Sequence, residues 1–233
     1  MPIFIGPEPL TDNFGYALSP FLCRFPKTGL VVIYDTEFTS WSHSLEAGWK
    51  SPNQYREVFQ FGALKINLSE NWQIVDELCL LIKPTKNPKL SDYICKLTGI
   101  TNNMMSQALS VGMAFEILRD FCSGCDYIIS NGWDGCVVRE TLTLGNANYN
   151  FSPEHGFPKD LDVRPFFCSV LDASITDCNT CNLPQLTSKV FSGGRPHNAL
   201  CDARKVYNAM LWIKERNLKP NHKKLCNFCY DWS

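Results

Sequence analysis

No stretch of this 233-residue sequence approaches the about 20 uncharged apolar residues that cross a bilayer, because an acid, a lysine or a proline interrupts every candidate. A membrane-spanning role is therefore not expected. Charge of one sign is also scarce: 22 Lys+Arg against 23 Asp+Glu leave a formal net charge of −1. That balance argues against holding nucleic acid by a general cationic coat, and leaves room for a grip on a few phosphates. The opening residues, Met1-Pro-Ile-Phe-Ile-Gly-Pro-Glu, lack a basic segment followed by an unbroken apolar one. No export signal is expected there, and the simplest location is the cytoplasm. Repeats and low-complexity tracts are missing as well.

What is present is a chain built to pack. A hydrophobic share of 45% with 19% charged residues excludes wholesale disorder. At about 100–200 residues per domain, the length suits one domain with trimmings. The 12 cysteines are read as reduced thiols, since a disulfide scaffold belongs to short secreted chains with weak cores.

Residues 1–29 are punctuated by Pro and Gly and predict an irregular arm. Gly29-Leu-Val-Val-Ile-Tyr-Asp-Thr-Glu-Phe is an apolar, β-branched run ending in acids, a buried strand with carboxylates at its far end. A loop over 40–54 and two further strands, from Glu57 and from Ile74, make 30–83 an antiparallel meander. A short helix is expected after Ser91, its N-cap, with Gly99 as its stop. Residues 104–122 carry apolar positions at helical spacing. Tyr127-Ile-Ile-Ser predicts a fourth strand leading to a helix near Asp134, and 146–160 a polar loop. Leu161-Asp-Val-Arg-Pro-Phe-Phe reads as an edge strand, where Pro165 would face away from the ladder. A short helix over 183–190, a glycine turn over 191–196, a long helix from Asn198 to about Ile213 and a basic, Cys-containing tail over 214–233 complete the α/β pattern.

Asp35 and Glu37 stand two apart on a strand, so both side chains leave the same face. Two adjacent anions at the end of an apolar strand repel each other unless a cation lies between them. Asp134 sits where the fourth strand gives way to a helix. Asp202 lies early in the last helix, five residues after His197. Taken singly, Asp134 reads equally well as a helix cap and Asp202 as a first-turn acid favoured by the helix dipole.

Five segments, Asp35-Thr36-Glu37, Glu57-Val-Phe-Gln-Phe-Gly-Ala, Leu97-Thr-Gly-Ile-Thr, Ser130-Asn-Gly-Trp-Asp134 and His197-Asn-Ala-Leu-Cys-Asp202-Ala, run in this order over 30–213. Together they resemble the DEDDh branch of the DnaQ-like 3′→5′ exonucleases. The Leu-Thr-Gly-Ile-Thr block and Gly194-Arg-Pro-His197 are most similar to the group that includes the histone-mRNA and RNA-interference 3′ exoribonucleases. The resemblance implies an RNase H-like α/β fold, a five-stranded mixed sheet flanked by helices, with the exonuclease domain at 30–213. It implies two divalent ions, Mg²⁺ or Mn²⁺, held by Asp35, Glu37, Asp134 and Asp202, with His197 accepting a proton from the attacking water. Gln60 stands where relatives often carry an acid.

The expected partner is a nucleic acid 3′ end, RNA more readily than single-stranded DNA, and a homodimer is compatible with the resemblance. Two alternatives stay open: a single-stranded DNA exonuclease of the same fold, and an interaction module without catalysis. Phe38 and Trp133, beside the acids, are expected to stack on the terminal base at about 1–3 kcal/mol per contact, with Thr36 between the acids as a further substrate contact. Trp41, Met104 and Met105 are read as core. Lys96, Arg195 and Arg204 are read as solvated surface, and the tail Lys214, Arg216, Lys219, Lys223 and Lys224 as a better basic patch. Cys178, Cys181, Cys226 and Cys229 have a spacing with which zinc would staple the tail to the domain, a reading set beside the favoured one of unligated thiols. Cys122 and Cys125 are read as packing.

Overall fold

A computed structural model describes residues 28–187 and 195–221. Most of the expected arm, residues 188–194 and the tail beyond 221, including Cys226 and Cys229, lie outside the described residues. Five strands form one sheet in the order β3-β2-β1-β4-β5. The strand β1 (Leu30–Phe38) pairs antiparallel with β2 (Val58–Asn67), which pairs antiparallel with β3 (Gln73–Leu81). On its other side β1 runs parallel to β4 (Cys125–Ser130), and β4 parallel to β5 (Lys159–Asp162). This is the mixed, RNase H-like sheet.

The centre of the sheet explains why β1 reads as a continuous apolar run: both of its faces are covered. Val31 and Ile33 face a core shared with α5 (Arg164–Leu171) and the long α7 (Ala199–Glu215), through Phe167, Ala203, Val206 and Met210. Val32 and Tyr34 face the opposite core, against α3 (Val111–Phe121) and α4 (Asp134–Leu144), through Phe115, Leu118 and Val138. There Tyr34 stacks on Phe61 with ring centroids 5.0 Å apart. Alternation along β1 therefore puts Asp35 and Glu37 on the α7 side of the sheet.

The helix ends follow local chemistry. In α1 (Asp92–Thr98), Ser91 Oγ accepts from Ile94 N, and Gly99, at φ 76°, closes the helix in the left-handed region. A buried carboxylate, Glu57, accepts from the backbone amides of Thr85, Lys86 and Asn87 and so holds the approach to α1. The apolar spacing over 104–122 does not form one helix. It divides into α2 (Asn102–Met105) and α3, because Leu109 bridges to Ile82 and Ser110 starts a new helix by accepting from Met113 N.

The expected strand over 161–167 does lie at the sheet edge, as β5, but is shorter. β5 ends at Asp162, and Pro165 lies in the first turn of α5, where a missing N–H costs nothing and a fixed φ suits the helix. Within the loop before β5, Phe151 and Phe157 are buried in the α3–α4 core. The short helix α6 spans Leu183–Leu186.

One glycine decides how closely α7 approaches. Gly62 pairs with Asp35 across the β1–β2 ladder. A Cβ built there would stand 2.1 Å from Leu200 N and 2.3 Å from the carbonyl carbon of Ala199. Backbone cannot yield as a side-chain tip can, so Gly62→Ala is expected to cost about 3 kcal/mol by overpacking. Urea unfolding should show a lower midpoint at unchanged slope. An unchanged midpoint would mean that α7 is free to lift from the sheet.

Candidate active site

Asp35 and Glu37 end β1 with 8% of their surface exposed, and Asp202, in the first turn of α7, retains 3%. The start of α7 is fastened to β2: Gln60, which pairs with Glu37 across the ladder, accepts from Ala199 N through Oε1 at 3.0 Å. Gln60 thus acts as a neutral acceptor where a carboxylate would add one more charge beside Glu37. His197 precedes the N-cap Asn198, whose side chain accepts from Cys201 N at 3.1 Å. At φ 59° His197 adopts a left-handed conformation that is costly for a residue with a Cβ, a kind of strain found where function holds a side chain in place. One ligand-capable atom from each of Glu37, His197 and Asp202 lies within 4.8 Å of the other two, and among the described residues this is the one such cluster.

Asp134 opens α4 on the other side of β1. Its Oδ1 accepts from Thr36 N at 3.0 Å and from Thr36 Oγ1 at 2.7 Å, so β1 locates this acid too. Thr36, expected to touch substrate, lines the cleft and donates its hydroxyl to Asp134.

Electrostatics bind these groups into one unit. Burial raises the Asp35 carboxyl well above its ordinary range, and Asp134, Asp202 and Glu37 push it further. Burial, then Asp202 and Asp134, push Glu37 up to about 8. Burial raises Asp134 also, opposed by the two Thr36 hydrogen bonds and by the Arg164 charge. Lys205 donates to Asp202 at 2.5 Å and lowers both Asp35 and Glu37, without offsetting the rest. Buried like charges of this density need a proton or a cation between them. All-oxygen carboxylate donors with one imidazole at the rim suit hard divalent ions such as Mg²⁺ or Mn²⁺.

The acids lie at the floor of a cleft of about 350 Å³. Its apolar lining comes from Phe38, Trp41 and Trp49 with Tyr93, Ile94 and Leu97 of α1. Asn131, Arg164, Thr180 and Cys181 also line it. Trp41, expected in the core, faces this cleft. Trp49 was not singled out by sequence; it is held by the Phe38 ring at 5.8 Å and by the Arg56 guanidinium at 5.6 Å. Only the fold of the 40–54 loop brings it there. Trp133 stands 39% exposed as the residue before α4 and does not line the cleft. Met105 is buried beside Phe59 and Ile94, whereas Met104 is exposed.

Of the cationic candidates, Arg204 pairs with Glu77, and Arg195 donates to the Lys96 carbonyl at 3.1 Å with its guanidinium where a Cβ on Gly99 would sit. Cys178 is buried in the α5–α7 core and Cys181 lies on the cleft wall, so the two members of that pair point to different surroundings. Cys122 is buried, and Cys125 begins β4.

Residues 32–210 match the exonuclease family described as RNase T. The chain belongs to that family. A comparison with curated protein sequences found no match. Among solved structures, the nuclease domain of 3′hExo, a DEDDh family member bound to rAMP, is similar at TM-score 0.68 and 18% identity, covering 83% of this chain and 96% of that one. A structure of 3′-end-specific recognition of a histone mRNA stem-loop by a 3′-exonuclease is similar at TM-score 0.70 and 17% identity, with 83% of this chain and 66% of that one covered. This exonuclease-family chain therefore spans just under two thirds of that relative. An E. coli ExoI–ssDNA complex in its zinc-bound form is similar at TM-score 0.59 and 17% identity, over 86% of this chain and 42% of that one. At such identities the likeness is one of fold: the RNase H-like sheet of these exonucleases.

Proposed function

We propose that this chain is a metal-dependent 3′→5′ exonuclease that prefers RNA. The observation that carries the reading is the meeting of Asp35, Glu37, Asp134, Asp202 and His197 at one cleft, where burial and mutual repulsion raise the carboxyls of Asp35 and Glu37 and a proton or a cation must relieve them. The four acids would hold two divalent ions, Asp35 shared between them, Glu37 and Asp202 completing one and Asp134 the other. When bound, such ions stabilise charge on the attacking and leaving oxygens of a phosphodiester.

His197 stands at the rim with Glu37 and Asp202 close by and accepts the proton of the attacking water. Gln60 and Asn198 hold the start of α7 and thereby the imidazole and Asp202. The wall of Phe38, Trp41, Trp49 and Leu97 receives the terminal base, whose flat apolar face it matches. RNA as substrate is favoured by the Leu97-Thr-Gly-Ile-Thr block and by the likeness to enzymes solved with a histone mRNA stem-loop and with rAMP. The likeness to an enzyme solved with single-stranded DNA supports DNA as the second reading.

The test is digestion of RNA and DNA oligonucleotides of one sequence, each labelled at the 5′ end, with Mg²⁺ or Mn²⁺. A ladder shortening from the 3′ end, faster on RNA and stopped by chelator, is the expected result. His197→Ala should slow it by about 10²–10⁴-fold, the usual contribution of a positioned base. Faster shortening of DNA would select the second reading. Equal digestion by wild type and His197→Ala would overturn the assignment of the imidazole.

A further inference from the structure

Arg164 is the one arginine or lysine on the cleft wall among the described residues. Its setting is built around it. Gly132, at φ 131°, lies under the guanidinium so closely that a Cβ there would stand 2.1 Å from Nη2. Nη2 donates to the Asn131 carbonyl at 2.5 Å. Asp162, the acid nearest in sequence, is occupied by backbone: its Oδ1 accepts from Gly132 N and from Arg164 N, each at 2.8 Å.

Among the described residues the guanidinium makes no ion pair within 4.0 Å, its charge acting on Asp134 and Asp162 from farther off, and its Nε is buried without a hydrogen-bond partner. Arg164 is half-buried on the cleft, and its Nη1 makes no hydrogen bond within the described residues, so a charged donor is left for a ligand's acceptor. Arg139, Arg56 and Arg204, by contrast, each lie on a carboxylate.

We infer that Arg164 is a substrate-binding residue, gripping a non-bridging oxygen of the strand phosphate that passes nearest Asp134. The inference rests on the nuclease reading above and adds to it a group in the cleft that holds the strand by its phosphate. A planar fork seated against a glycine and a carbonyl presents its remaining donors in a fixed direction, as phosphate recognition requires. Its charge already acts on Asp134, so it draws the strand towards that acid's end of the cleft.

The experiment is fluorescence anisotropy of a 5′-labelled single-stranded oligouridine with the full chain in EDTA, across a salt series, for wild type, Arg164→Gln and Arg164→Lys. Trimming with Mg²⁺ is followed in parallel, and thermal unfolding of each variant checks folding. Loss of one phosphate contact from a single strand lowers the slope of log K against log salt by about 0.7. Arg164→Gln should show that drop with binding weakened about tenfold to a hundredfold, the span for a charged hydrogen bond. Arg164→Lys, which keeps the charge and loses the fork, should retain the slope and recover part of the affinity. A brace without substrate contact would instead give an unchanged slope in both variants, whatever happens to their unfolding temperature, and would overturn the inference. Should wild type neither bind nor trim the oligonucleotide, it is the nuclease reading that falls.

Discussion

Asp35→Asn is expected to lose 3′-end digestion by at least about 10³-fold while making the metal-free chain harder to unfold. The loss follows because Asp35 is the acid that Asp134, Asp202 and Glu37 all act upon, and the shared ion contributes several kcal/mol of charge stabilisation. The gain in stability has the same origin. An amide of the same shape removes a buried group whose ionisation three neighbours oppose, an exchange of activity against stability usual at strained sites. Paired measurements decide it: initial rates on labelled RNA, and urea unfolding in EDTA. Retention of more than a tenth of the rate would remove Asp35 from the reaction centre. Lower stability would show that the acids are held by contacts stronger than their repulsion.

Divalent ions should raise the unfolding temperature of the wild-type chain, and raise it further at pH 8 than at pH 6. Glu37 ionises near its ordinary value of 4.5 in the unfolded chain and at about 8 in the folded one. Between those limits the folded chain holds a proton that the unfolded chain has given up. The stability this provides is complete below pH 4.5 and is lost as pH rises towards 8. A cation that takes the proton's place meets less competition as the pH rises. With free ion at 100 times its dissociation constant the stabilisation is about 2.7 kcal/mol, a rise of roughly 5–10 °C for a chain of this size. Scanning calorimetry with Mg²⁺ or with EDTA at both pH values tests this. An equal shift at the two would place the ion elsewhere than at Glu37 and Asp35.

The acids on β1 were legible because a strand has a period of two: residues i and i+2 share a face whatever surrounds them. Ser91 was legible as a helix cap for a similar reason, since a cap bonds to backbone within three residues. The split of 104–122 was not, because apolar spacing continues across Leu109, and the bridge to Ile82 comes from a strand distant in sequence. Pro165 was compatible with an edge strand and with a first helical turn, and the end of pairing at Asp162 decided between them.

Local sequence, then, determined the order of the strands, the Ser91 cap, and the residues that offer the site its chemistry: hard acids and an imidazole in a set order. It could do so because those features depend on neighbours a few residues away. The tertiary structure alone decided that Gly62 and Gln60 stand opposite Asp35 and Glu37, that Thr36 holds Asp134, that Trp41 and Trp49 rather than Trp133 line the cleft, and that Arg164 sits over Gly132. Each of these is a meeting of segments tens of residues apart, and such contacts form only when burial of the two cores brings the segments together.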